Sequence, residues 1–301
     1  MELTLRGPSG EPVDLWRTLV SHGVASLPPS ELDEDTRVLT VTVPLRGAKP
    51  RSIRIRGGRR GKARIEILGP APGDRIKQGV REVVGRILNL DEDLSALYAA
   101  AEADPELSWI VGGAGRMLRS PTVFEDVVKT ICTTNTTWSA TERMVGALVS
   151  ELGEESAGRL GRAFPTPAVM AKASDLFYRE VVRAGYRGAY LKTLATDVAA
   201  GALDLEELRS ATPDELPDDE VLARLLALPG VGPYAAAHVM MLLGRHSLLI
   251  LDSWTRPKYA RLNGRKVADR QIERRFRRYG PYAGLAFWLF LTRDWAEDPA
   301  A

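Results

Sequence analysis

The stretch from Leu225 to Gly244, LLALPGVGPYAAAHVMMLLG, constrains the fold more than any other part of the chain. Apolar residues keep helical spacing on both sides of it, and Pro229-Gly230-Val231-Gly232 interrupts them. A second helix starts at Pro233, where proline's missing N–H does no harm because first-turn amides have no intrahelical partner. The unit reads as a helix, a tight hairpin and a helix. Two glycines open backbone angles closed to other residues and allow close approach to another surface. The free amides at the start of the second helix point outward and suit a phosphate. An ordinary connection between two packed helices explains the same pattern, and glycine spacing alone does not separate the two readings.

At 301 residues the chain exceeds the size of most single cores, so two or three packed lobes are expected. Hydrophobic residues at 45% and charged residues at 27% are ordinary globular usage, which excludes wholesale disorder. With 41 Lys and Arg against 39 Asp and Glu, a polyanion must be met by local clusters rather than bulk charge. Two such clusters stand out: Arg46 to Arg64 has nine basic residues and no acid, and Arg256 to Arg278 has ten against Asp269 and Glu273. The second is the better candidate for a phosphate backbone. The first also reads as the solvated face of a sheet, since Arg54 and Arg56 alternate with Ile53 and Ile55. The lone Cys132 excludes an intramolecular disulfide, a thiolate zinc site and a four-cysteine iron–sulfur cluster, and fits a reducing compartment. No run has the length and apolarity of a membrane span or the pattern of a signal peptide. A cytoplasmic protein is expected, nucleoid-associated if bacterial, with no membrane contact and no obligate protein partner.

Residues 37 to 45, 51 to 56 and 62 to 68 alternate apolar with polar or basic side chains and predict antiparallel strands, with Gly57, Gly58 and Gly61 as hairpin punctuation. Val13 to Val20 has helical spacing. From about Gly79 the pattern is helical, with Ser120-Pro121 and Thr166-Pro167 reading as N-cap and first-turn proline. The acidic stretch Asp204 to Glu220, with Pro213 and Pro217, reads as a linker between helical lobes. The expected fold is mainly α with an N-terminal α+β domain: a small antiparallel sheet followed by two helical lobes. The expected division is 1–78 for the sheet domain, 121–216 for one lobe, and 79–120 with 217–301 for the lobe carrying the hairpin.

After Gly244 come the apolar run Leu248 to Leu251, then Asp252-Ser253-Trp254, then Arg256, Lys258 and Arg261 on a predicted helix. Asp252 is a good N-cap for that helix. Together with the hairpin, this arrangement resembles the helix-hairpin-helix DNA glycosylase superfamily, specifically the branch containing 8-oxoguanine DNA glycosylase and the bacterial 3-methyladenine DNA glycosylases. Further motifs carry the resemblance in order: PTVFEDVVKTICTTNTTW from Pro121 to Trp138, Phe164-Pro165-Thr166, Ala184-Gly185-Tyr186-Arg187-Gly188-Ala189-Tyr190, and Tyr279-Gly280-Pro281-Tyr282-Ala283-Gly284. It covers roughly Leu107 to the C-terminus.

The resemblance implies excision of a damaged base from double-stranded DNA, with Asp252 as the catalytic carboxylate; capping and catalysis can coexist in one residue. Bifunctional members carry a lysine just inside the second hairpin helix, where its amine forms a Schiff base with the sugar. Here that position is Tyr234, so hydrolysis by water without strong lyase activity is expected. Asn135 matches the family's gap-filling asparagine, and Tyr186 an aromatic that wedges beside the unpaired base; a polar helix terminus and a core tyrosine are the competing readings. Further DNA contacts are expected at Arg187, Gly230, Gly232, Ala235, Arg256 and Lys258. Tyr234 and His238, four apart on one helical face, are expected to line a pocket with Trp254, Phe287 and Trp288. Phe287 falls where the 8-oxoguanine enzymes read the lesion with a glutamine, so this pocket would stack, and an aromatic site suits cationic alkylated purines. At least one of Phe287 and Trp288 must belong to the core of the last helix. The resemblance also implies a monovalent cation on the carbonyls of Leu226, Leu228 and Val231, with no required cofactor. Two alternatives stay open: a non-catalytic helix-hairpin-helix protein that binds DNA or a lesion, and an oxidised-purine glycosylase.

Overall fold

The computed structural model describes residues 1–295. Five strands form one antiparallel sheet: β1 (Glu2–Thr4), β2 (Ser30–Asp33), β3 (Val38–Leu45), β4 (Ala48–Gly57) and β5 (Lys62–Ile67), in the order β1-β5-β4-β3-β2. The alternation seen in the sequence sets the register. Ile53 lies opposite Val41 and Ile67, and Ile55 opposite Leu39 and Ile65, so one face is apolar. Arg54, between Thr40 and Glu66, and Arg56, opposite Arg64, lie on the other face. The short edge strands β1 and β2 carry too few residues to show a period.

Val80, Val83, Val84 and Ile87 of the helix Asp74–Ile87 pack on the apolar face. That helix starts before Gly79 and belongs to the sheet's core, so the packing does not follow the expected boundary at residue 78. A second core gathers Phe124, Val127, Ile131, Leu148, Leu191 and Leu194, and a third gathers Leu94, Leu97, Met117, Tyr259, Phe276 and Phe290. The helix Pro233–Leu242 lies between these two. It gives Ala236, Val239 and Met240 to the second core and Ala237, Met241 and Leu242 to the third. Val221 and Leu225 of the first hairpin helix, Asp218–Leu226, pack in the second core with residues expected in the other lobe. The acidic stretch is also packed there, through Leu205, Leu208 and Leu216, because its leucines outweigh its charged surface. Among the described residues no helix is long and apolar enough to cross a membrane.

Thr166 caps its helix as expected, with Pro167 in the first turn. The helix Val123–Thr133 is capped instead by Thr122, whose hydroxyl accepts from the Glu125 amide at 3.2 Å. Ser120 belongs to the segment Gly113–Pro121, which is buried throughout and, over Ala114–Ser120, has no regular secondary structure. Its backbone groups find partners elsewhere, as burial demands. Tyr98 donates to Ala114 O at 2.8 Å, the Arg119 amide to Ile87 O at 2.9 Å, and the Ser120 amide to Asp126 Oδ1 at 2.9 Å. Arg116, 0% exposed, pairs with Glu11 at 2.6 Å and donates to the carbonyls of Asn89 and Glu92 at 2.6 Å each.

Removing one member of a buried ion pair strands the other, at a cost of about 3–5 kcal/mol. Arg116→Met should therefore lower unfolding free energy by about that amount in urea titration. A loss under about 1 kcal/mol, well below a buried pair's usual cost, would show that Arg116 is not a tie between the cores.

Candidate active site

In the hairpin, the Val231 amide donates to Leu228 O at 3.1 Å and closes the turn. Gly230 has φ +79°, and a Cβ there would lie 2.6 Å from the Tyr190 ring, so both conformation and space demand glycine. Gly232 has an ordinary φ of −97°, and nothing stands within 4 Å of a Cβ built on it. The first hydrogen bond of the following helix runs from Ala236 N–H to Gly232 O at 2.9 Å. The Gly232, Tyr234 and Ala235 amides therefore lack backbone partners among the described residues, while the Ala235 side chain is buried in the second core. The carbonyls of Leu226, Leu228 and Val231 are neutral oxygen donors of the kind that suits a monovalent cation. Leu228 O keeps a second lone pair beside its bond to Val231.

Asp252 Oδ1 accepts from the amides of Trp254 and Thr255 at 2.8 and 2.7 Å, and the Thr255 hydroxyl accepts from the Asp252 amide at 2.8 Å. This reciprocal cap starts the helix Thr255–Leu262. It commits one carboxylate oxygen; Oδ2 has no hydrogen-bond partner among the described residues.

A cavity of about 310 Å³ is lined by Asp252, Tyr234, His238, Trp254 and Trp288, together with His22, Trp138 and Trp295. Trp254 lies 5.6 Å from both Trp288 and Trp295, and Tyr234 stacks on His238 at 6.2 Å, centroid to centroid. Trp288 Nε1 donates to Ser21 O at 2.8 Å. Burial raises the Tyr234 phenol above its ordinary value; hydrogen bonding with Thr133 opposes this and the nearby Asp252 charge adds to it.

A groove of about 570 Å³ shares Thr133, Thr136, Tyr234 and Asp252 with the cavity, so the two meet at the carboxylate. Asn135, Tyr186, Gly230, Gly232 and Ala235 line it. Asn135 adopts φ +46°, and its amide reaches the Tyr186 hydroxyl at 3.5 Å. A larger cleft of about 1040 Å³, between the sheet and the helix Asp74–Ile87, holds none of the expected site residues.

One expectation needs correction, and three of the expected DNA-contacting cations are engaged within the chain. Phe287 is 0% exposed and packs against Phe276 and Tyr259 in the third core, outside the cavity; Trp288 alone of the pair lines it. Arg187 is buried, donates to the carbonyls of Thr134 and Asn135, and lies 4.6 Å over the Tyr186 ring, so it shapes the Asn135 loop rather than presenting a free cation. Lys258 is bound to Asp294 at 2.5 Å with its side chain only 12% exposed, and Arg256 forks Asp269 at 2.8 and 2.9 Å. Arg261, Arg265, Lys266, Arg270, Arg274 and Arg277 keep the cluster's cations exposed, with no ion pair among the described residues.

Sequence reasoning missed His22, Trp138 and Trp295. His22 comes from the N-terminal part, more than two hundred residues before Asp252, and no local pattern marks it. The buried Cys132 thiol is pushed up to about 12 by desolvation, and among the described residues no group of three or more His, Cys, Asp or Glu could hold a metal.

Burial holds His22 neutral, with its pKa pushed down to about 3, and does the same for His238, down to about 4. Below the ordinary 6.5 the unfolded chain binds a proton at His238 that the folded ring refuses until near 4. Stability attributable to the neutral ring is present above pH 6.5 and is lost as pH falls toward 4. Wild-type stability should therefore fall relative to His238→Phe by about 2 kcal/mol between pH 7 and pH 5, read from urea midpoints. A pH-independent difference would contradict this.

No protein-family model matches the chain, and no curated protein matches its sequence. Among solved structures, the 3-methyladenine DNA glycosylase from Archaeoglobus fulgidus superposes with a TM-score of 0.73 at 21% identity, covering 98% of both chains. The Clostridium acetobutylicum 8-oxoguanine glycosylase/lyase in its apo form gives 0.70 at 20% identity, covering 93% of this chain and 92% of that one. Its complex with double-stranded DNA containing cytosine opposite 8-oxoguanine gives 0.70 at 21% identity, covering 94% and 92%. The superfamily resemblance read from the motifs thus holds at the level of architecture: over nearly its whole length the chain has the fold of these DNA glycosylase structures.

Proposed function

We propose that the chain is a monofunctional DNA glycosylase that hydrolyses the N-glycosidic bond of a damaged base, an alkylated purine, in duplex DNA. One observation carries the reading: a carboxylate with an uncommitted oxygen stands at the mouth of an aromatic cavity, and no lysine is among the described residues that line cavity or groove. Lys258, the nearest threat in sequence, is held by Asp294.

The target nucleotide leaves the duplex and its base enters the cavity, since its glycosidic bond is inaccessible in the stack. Hairpin amides at Gly232, Tyr234 and Ala235, on the turn that Gly230 permits, hold a phosphate. Asn135 and Tyr186 fill the vacated space and contact the partner base, on a loop positioned by Arg187. Asp252 stabilises the cationic sugar through Oδ2 and orients water. Tyr234 has no amine for an imine, so the product is an abasic site in an intact strand. Tyr234, Trp254, Trp288, Trp138 and Trp295 attract electron-poor, cationic purines by stacking and cation–π interaction. A monovalent cation on the carbonyls of Leu226, Leu228 and Val231 would supply only electrostatic bracing of the hairpin. The exposed cations from Arg261 to Arg277 supply sequence-independent affinity, whereas Arg256 and Lys258 contribute only if their ion pairs open.

The test is single-turnover incubation with duplexes carrying alkylated, oxidised or deaminated bases, with strand cleavage scored before and after alkali. Alkylated purines should be released fastest, with nicks appearing only after alkali. Asp252→Asn keeps a capping oxygen but loses the charge. It should retain duplex binding and lose base release by about a hundredfold or more. Unchanged release would remove Asp252 from the chemical step, and binding of every duplex without release by the wild type would favour the non-catalytic alternative.

A further inference from the structure

The cavity wall contains a feature that stacking on alkylated purines does not use. The segment Ser21-His22-Gly23 is pinned from several sides. Trp288 donates to Ser21 O at 2.8 Å, the Leu118 amide donates to Ser21 Oγ at 2.9 Å, and His22 Nε2 lies 2.6 Å from Leu118 O. A Cβ on Gly23 would come 3.2 Å from the Trp138 ring, so the chain passes close to one of the cavity's indoles. A carbonyl oxygen only accepts, so His22 Nε2 must carry the proton, and in a neutral ring Nδ1 is then a lone-pair acceptor. His22 Nδ1 and His238 Nε2 are both buried without a hydrogen-bond partner among the described residues, and the two rings meet edge to face at 5.5 Å. Both line the cavity. A purely aromatic stacking site has no use for two unsatisfied ring nitrogens, each of which costs stability until something pairs with it.

We propose that His22 is a specificity-determining residue: its Nδ1 accepts a hydrogen bond from an N–H on the bound base, so the site takes bases with a ring-edge N–H or amino donor and disfavours those without one. His238 lies beside it as a second partner of either polarity. This rests on the base-excision reading and deepens it, because a cationic alkylpurine has more acidic N–H groups and makes a stronger, charge-assisted bond to a neutral acceptor. Burial of both rings keeps them uncharged at neutral pH, so neither repels such a base. Discrimination arises because a base lacking the donor leaves a buried acceptor unpaired in the complex, whereas stacking barely distinguishes the two.

Two measurements test the proposal. In the first, single-turnover release is compared for 7-methylguanine against 7-methylhypoxanthine and for hypoxanthine against purine, each pair differing in N–H donors. The wild type should favour the donor-rich member of at least one pair by about tenfold or more. His22→Leu should bring the ratio near one, chiefly by slowing the donor-rich base, and His22→Gln, which keeps an acceptor, should restore part of it. An unchanged ratio in folded His22→Leu overturns the proposal. The second measurement needs no turnover: ¹⁵N NMR of the histidine rings, with free adenine and hypoxanthine titrated in. His22 should show the neutral Nε2–H tautomer, with an Nδ1 resonance that moves upfield on base binding. A protonated ring, an Nδ1–H tautomer or an unmoved Nδ1 at saturating base overturns the proposal. If the wild type releases no base from any duplex, the glycosylase reading fails and the NMR titration alone decides the role of His22.

Discussion

The segment Gly113–Pro121 has to be buried although, from Ala114 to Ser120, it forms neither helix nor strand, and that requirement organises the molecule. Each of its backbone polar groups needs a partner from some other element. The partners come from all parts of the chain: Tyr98, Ile87, Asp126, and Ser21 with His22 from the N-terminal part. Its side chains feed separate cores, Met117 the third and Leu118 that of the sheet. Arg116 adds a buried charge that Glu11 neutralises, with two carbonyls accepting from its guanidinium. The arrangement fixes the sheet layer against the helices and carries His22 to the cavity wall.

The helix Pro233–Leu242 is the second determinant. Flanked by two cores, it is apolar nearly all round and cannot rotate without unpacking one of them. Its orientation is thereby set, and with it the direction of the free amides at its start. Tyr234 and His238, one turn apart, reach the same cavity from this helix. Asp252, capping the helix Thr255–Leu262, meets them from a second element, and the Asn135 loop, held by Arg187, lines the groove from a third. Rigid elements position each of these groups.

Much of this was legible because its signals are local. Pro233 after two glycines announces a hairpin, alternation announces β3 to β5, and Asp252 ahead of a helical pattern announces a cap. The remainder depends on contacts across the chain. Nothing near His22 marks it as a cavity residue, since its partner Leu118 O is ninety-six positions away. Phe287 and Trp288 are adjacent in a helix buried on every side, so periodicity offers no means of choosing which faces a core and which a cavity. Lys258 and Arg256 look free in sequence because Asp294 and Asp269 reach them only after folding. The leucines of the acidic stretch were outvoted by its charges and prolines in a compositional reading, yet they pack.

We propose that Tyr234 occupies the place from which an amine would attack the sugar beside Asp252, and that its phenol leaves water as the only nucleophile. Tyr234→Lys tests it most directly, with a duplex containing a preformed abasic site and borohydride as trap, so that no lesion need be known. The new side chain supplies the amine that the phenol lacks. A covalent protein–DNA adduct should form with the variant and none with the wild type; efficient trapping by the wild type, or none by a folded Tyr234→Lys that binds the duplex, would contradict this role of Tyr234.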